Sequence, residues 1–213
     1  MYRLYPTRSA VAGAFAKLAL FAVSAAVASP AQAAEEACTI GPYATCNGAD
    51  LTGAQLANAK LRAAQMRRVT LDEANLRSSD LQGAYLTDAS LENADLTAAN
   101  LRGATLVRAD LTGSALRQAN FADVRMDNAV LREADARGAN FEGAQLQGVD
   151  FRGADLRAAV FVGATLEGAD LRGAKLDDAV LDGGAWQPGA NLTGATWIDG
   201  SVCGRGSLGR CAN

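Results

Sequence analysis

The residues that could do chemistry are few, and their spacing decides what each could do. Gly204-Arg205-Gly206-Ser207-Leu208-Gly209 matches the G-x-G-x-x-G pattern that cradles a dinucleotide pyrophosphate. That use needs a preceding strand, a following helix and a later acid within a βαβ unit of about 30 residues. Only four residues follow the motif here, so a capping loop is expected. Asp110, Asp150 and Asp170, with Asp50 nearer the start, recur at multiples of twenty residues and offer carboxylate oxygens of the kind calcium takes. No loop gathers the six or more oxygens that ion needs, and the nonapeptide of calcium-binding β-rolls is missing, so no metal is expected.

Arg77, Arg117, Arg137 and Arg157 share another column of the same period, with Thr97 interrupting it. Asp135 and Asp155 stand two residues before two of these arginines. The column therefore has two readings: a solvated Arg/Asp ladder that neutralises itself, or a surface for an anion or an acidic protein partner. Histidine is absent from all 213 residues. That excludes Ser-His-Asp and Cys-His nucleophile systems, an imidazole base and any His-containing zinc site. Paired carboxylates for glycoside cleavage need a cleft and a raised pKa, and no such cleft is evident. Neither an enzyme nor a cofactor is expected.

The cysteines fall in two pairs, Cys38 with Cys46 and Cys203 with Cys211, each as C-x7-C and one pair at each end of the chain. This spacing is too wide for the usual zinc site. The long regular segment between the pairs should hold its ends tens of ångströms apart, whereas bridged Cα atoms lie within about 7 Å. The pairing Cys38–Cys46 and Cys203–Cys211 follows. Disulfides agree with the N-terminus, where Arg3 and Arg8 precede an apolar run from Leu18 to Ala28, and Ala31-Gln32-Ala33 forms a small-x-small site. The run is bounded by Lys17 and Pro30 and falls short of the roughly 20 residues of a membrane span, so a signal peptide cleaved after Ala33 is expected, with no membrane anchor. The destination is the periplasm or the exterior. With a formal charge of −3 before cleavage and no acid among the first 33 residues, the mature chain is acidic, which disfavours nucleic acid as a partner.

One pattern must position all of these residues. From Leu51 to Trp186 every fifth residue is Leu, Met, Phe or Trp, with Ala136 as the exception. Two residues before each stands a small side chain, usually Ala, as in Ala94-Asp95-Leu96-Thr97-Ala98. A period of five fits neither the 3.6 of a helix nor the alternation of a strand, so the chain must turn once per unit. If the small and large residues point inward, four units make one square coil and coils stack at about 4.8 Å. Recurrence at intervals of twenty supports four sides: Phe121, Phe141 and Phe161 align, as do Asn100, Asn120 and Asn140. Gly189 adds one residue after the unit at 184–188, and the repeat resumes at Ala190-Asn191-Leu192. Both Trp186 and Trp197 fall at inward positions. Around the undersized Ala136, the neighbouring Phe141 is expected to supply the missing volume.

On these residues the chain resembles the pentapeptide repeat family over roughly residues 49 to 202. The resemblance implies an all-β fold, a right-handed quadrilateral β-helix, here with disulfide-closed caps at 34–48 and 203–213. It leaves function open. The expected role is a non-catalytic, exported solenoid that acts as a scaffold or binds a protein partner, its oligomeric state unread. Some family members resemble B-form DNA and bind type II topoisomerases such as gyrase, which is the alternative. The signal peptide, the disulfide-type cysteines and the arginine column argue against that alternative, as does the lack of any insertion that would project a loop from the coils between 49 and 188.

Overall fold

The computed structural model describes residues 38–181, 189–208 and 210–211, so the predicted signal peptide and the repeat unit at 184–188 with Trp186 lie outside the described residues. Contacts divide the chain into Met1–Glu36 and Ala37–Asn213, and every described residue belongs to the second unit.

The reason five residues close one side of a coil lies in where the backbone N–H groups go. In the unit around Leu96, Leu96 N–H donates to the Ala115 carbonyl at 2.8 Å and Ala98 N–H to that of Arg117 at 2.8 Å, both in the next coil. Asp95 N–H donates back to Ala74 at 2.9 Å, and Ala99 N–H closes a turn onto Leu96 at 2.9 Å. Only Thr97 N–H lacks a backbone acceptor, and the Asp95 carboxylate accepts it at 3.0 Å. All five donors are thus satisfied, as a buried or closely stacked backbone requires. The same side-chain acceptor recurs at Asp50, Asp110, Asn120 and Asp150, which explains why Asp or Asn so often precedes the central apolar residue.

Parallel bridges link residues twenty apart from Thr45↔Gln65 to Val160↔Val180, giving the expected four-sided coil. Each bridge is one residue long, and no extended strand occurs among the described residues. The turn in every unit interrupts pairing before a second residue can join it. Beyond 181 the bridges become Asp170↔Asn191 and Lys175↔Thr196, a spacing of 21 that absorbs the extra residue read in the sequence.

The interior is a stack of apolar layers. From Leu61 to Leu176 the central residues are fully buried, and the small residues two places earlier are buried with them over most of that length. Ser79 and Ser114 take small-residue positions and donate their hydroxyls to the carbonyls of Leu76 and Leu111, both at 2.7 Å, so neither is an orphan polar group. Phe121, Phe141 and Phe161 stack with centroids 5.1 and 5.0 Å apart and planes within 9°. Phe151, from the opposite side of the coil, sets its edge against Phe141 at 6.0 Å and Phe161 at 6.3 Å. Phe141 therefore meets three rings, one more than Phe161, in the same coil as the small Ala136.

Both ends are closed by cysteine loops. Cys46 occupies an inward central position with its N–H on the Gln65 carbonyl, and its disulfide to Cys38 brings the Cα atoms to 4.8 Å. The stacking pattern thus already includes the last part of the N-terminal segment. At the other end the chain reverses: Asn191↔Leu208 and Thr196↔Val202 are antiparallel bridges, and Cys203 joins Cys211 with Cα atoms 4.9 Å apart. This return occupies edge groups that would otherwise template another chain.

Candidate interaction surface

Among the described residues, the residue after each central apolar side chain from Leu51 to Leu176 begins the turn and, Ala122 apart, reaches the surface. Where an acid stands two residues back in its own unit or eighteen residues on in the coil above, an arginine there reaches it. Arg117 donates to Asp135 at 2.6 Å, and Arg137 grips the same carboxylate through Nε and Nη2, each at 2.8 Å. Arg137 also lies 3.8 Å from Asp155, which Arg157 holds at 2.8 and 2.6 Å. Arg77 stands apart from this run and pairs with Asp95 at 3.0 Å. The predicted column therefore exists as a continuous zigzag from Arg117 to Arg157, with Arg77 as a separate pair.

Electrostatics bind the ladder to the coil. The Arg137 hydrogen bonds bring the Asp135 carboxyl down to about 2, burial opposing and Arg117 assisting. Arg157 lowers Asp155 in the same way, and the acids in turn raise Arg137 and Arg157. The carboxylates are recessed and the guanidiniums lie outside them: side-chain exposure is 18% for Asp155 against 43% for Arg157. A partner approaching this side meets arginine first.

A second ladder, absent from the sequence reading, runs along the adjacent side of the coil. Arg132 and Arg152 both bind Asp150, and Arg172 binds Asp170, with Arg152 3.8 Å from Asp170. Burial works against ionisation of Asp150, yet the hydrogen bonds from Arg152 and Arg132 prevail and lower it to about 2. Sequence carried the signal, since Arg132, Arg152 and Arg172 recur at twenty behind Leu131, Phe151 and Leu171. Reading Asp150 and Asp170 only as possible calcium ligands hid it. The remaining members of that acidic column, Asp50 and Asp110, accept from Thr52 and Thr112.

The other candidates resolve into structural roles. Arg205 and Gly206 form a turn, Ser207 donates its hydroxyl to the Gly204 carbonyl at 2.9 Å, and Leu208 pairs with Asn191, so the glycine-rich segment closes the end of the coil. A shallow depression of about 540 Å³ is lined by Asn47, Arg67, Arg68, Thr87 and Asp88. Of its groups, Asp88 pairs with Arg108 at 2.7 Å and the Asn47 side-chain oxygen accepts from the Arg67 N–H at 2.8 Å. No helix among the described residues is long and apolar enough to cross a membrane.

Comparison with known proteins agrees with this architecture. The family model described as pentapeptide repeats (8 copies) matches residues 43–77, 79–118, 114–153 and 150–183. No curated protein matches the chain. Among solved structures it is similar to the pentapeptide repeat protein Rfr23 from the cyanobacterium Cyanothece, at 36% identity and a TM-score of 0.43 over 44% of this chain and 64% of that one. It is similar to HetL of the cyanobacterium Nostoc, involved in heterocyst differentiation regulation, at 27% identity and a TM-score of 0.33, covering 74% and 91% of the two chains. Trypsin-treated QnrB1, a plasmid-mediated fluoroquinolone resistance protein, superposes with a TM-score of 0.51 at 20% identity, over 69% of this chain and 66% of that one, a likeness of fold.

Proposed function

Because the chain belongs to the pentapeptide repeat family, we propose that it is an exported, non-catalytic right-handed quadrilateral solenoid that presents a protein-binding surface in the bacterial envelope. The arginine ladder carries this reading. Its guanidiniums stand in register on successive coils, outside recessed carboxylates that fix their geometry, and such pre-ordered donors suit an acidic protein surface at small entropic cost. Export rests on the signal-type N-terminus and on the two terminal disulfides, which persist in oxidising compartments.

Intact mass of the protein from its own host, alkylated without reduction, tests the location. A chain starting at Ala34 with unmodified cysteines is expected. A full-length or fully alkylated chain overturns export and makes topoisomerase binding the leading reading, to be judged by inhibition of gyrase supercoiling. Cross-linking in the envelope followed by Arg137→Glu tests the surface: the charge reversal should release the cross-linked partner, and a partner retained in full rejects the ladder as its site.

A further inference from the structure

The side of the coil that bears the second ladder changes sign along its length. Its lower coils carry Asp50, Asp72, Glu73, Glu92 and Asp110 and not one lysine or arginine. Among the described residues none of these five acids takes part in a salt bridge. Its upper coils carry Arg132, Arg152 and Arg172, whose side chains are 49%, 38% and 48% exposed over acids exposed by 16% and 27%, and one exposed acid, Glu133. Arg132 uses Nε on Asp150, while Arg152 and Arg172 use Nε and Nη2, and a guanidinium has five N–H donors. Each retains donors for a second carboxylate.

The placement of these charges has a two-fold character. Asp72 and Glu92 lie two coils and one coil below Thr112 in the column that follows the central residues, and Arg132 and Arg152 lie one and two coils above it. We infer that this side docks a second copy of the chain, antiparallel, about a two-fold axis through the coil of Thr112. That operation keeps each column opposite itself and reverses its order, so Glu92 meets Arg132 and Asp72 meets Arg152, each twice per dimer, as an isologous interface demands. Arg172 arrives over Thr52 and Asp50, and Glu133 over the neutral Asn93. The like-charge contacts are Asp110 with its own copy, where the carboxylate is turned to the Thr112 N–H and hydroxyl at 2.9 and 2.6 Å, and Asp50 with Asp170, whose carboxylate Arg172 holds at 2.6 Å. The surface is a single side of the coil, about 30 Å long at the stacking distance of β-structure. It is narrower than a permanent interface, so the dimer is reversible and held by charge.

Sedimentation velocity of the disulfide-intact protein over a concentration series, at low and at high salt, tests this. A dimer at low salt that dissociates at high salt is expected. Glu92→Arg alone and Arg132→Glu alone should each weaken it roughly tenfold, since each removes two contacts per dimer. The chain carrying both substitutions should dimerise again, because the exchanged charges meet across the axis. Thr112→Cys should then cross-link with a short thiol-reactive reagent, and Gln82→Cys, on the opposite side of the coil, should not. Monomer at every concentration in low salt overturns the proposal, as does a dimer indifferent to the single reversals or not rescued by the double. Unchanged thermal unfolding of the variants ensures that lost dimer is not lost fold.

Discussion

From Gly138 to Gly173 every turn residue with positive φ is glycine except Ala158, whereas between Asn58 and Glu133 the same position carries Asn, Ala, Arg, Glu, Ser, Asp or Gln, and glycine only at 83, 103 and 113. The backbone is the same in both stretches, with φ between 52° and 69°. Left-handed backbone costs a residue with a Cβ about 1 kcal/mol, so the lower stretch tolerates a repeated local strain that the upper one largely avoids. The upper stretch also holds most of the stacked rings and ladder pairs. The comparison teaches that the turn residue does not specify the coil. Inward packing and the Asp/Asn acceptor do, and the turn residue adjusts how firmly each coil is held.

Removing a ring from the upper stretch is the strongest way to test this. Phe141→Ala should lose about 3–5 kcal/mol for a buried aromatic, and Phe161→Ala less, because Phe141 meets Phe121, Phe151 and Phe161 while Phe161 meets only two rings. Urea unfolding of both variants checks it. Equal losses would show that the small Ala136 beside Phe141 and the third ring contact have no consequence.

The ends come next. Cys38→Ser, which opens the N-terminal loop, should cost about 2–4 kcal/mol and fray the lower stretch first, where coils are strained and stacked rings are few. Hydrogen exchange of the amides from 43 to 70 reports this directly. Uniform acceleration across both stretches would mean that the coil unfolds as one block.

Acid should act in the opposite direction along the molecule. Asp135 and Asp150 have pKa values lowered to about 2 in the folded chain, from an ordinary value of 3.8. A depressed folded pKa stabilises above the unfolded value and is lost as pH falls, so this contribution is complete above about pH 4 and declines towards pH 2. Asp155 and Asp170 are lowered as well. Melting temperature should therefore fall over that window, and Asp135→Asn should flatten the fall while lowering stability at neutral pH.

Much of this was legible in the sequence because the repeat leaves one solution: Leu96 and Ala94 must point inward, and the recurrence at twenty sets four sides. The register slip at Gly189 and the cysteine pairing were readable for the same reason, since both follow from counting. What escaped was the partnership of residues far apart in sequence and close across coils. Arg132 reaches Asp150, eighteen residues on, and nothing in the local pattern of either residue shows that reach. The edge contact of Phe151 on Phe141 was hidden likewise, because it crosses the coil. The single-residue bridges, in place of longer strands, follow from the turn's hydrogen bond and become visible only once each N–H has been assigned.

The smallest effect is the cleanest test of the two stretches. A Cβ at Gly173 would meet nothing within 4 Å, so Gly173→Ala changes conformational strain and little else. It should destabilise by about 1 kcal/mol. Ala98→Gly, in the lower stretch, reverses the change at a turn of the same geometry, φ 57° against 69°. It should stabilise by somewhat less, because the added glycine also loosens the unfolded chain. Opposite signs in thermal unfolding would establish that the lower coils carry turn strain as a standing cost. If Ala98→Gly destabilises, the left-handed turn is already relaxed there, and the difference between the stretches lies wholly in their rings and ladders.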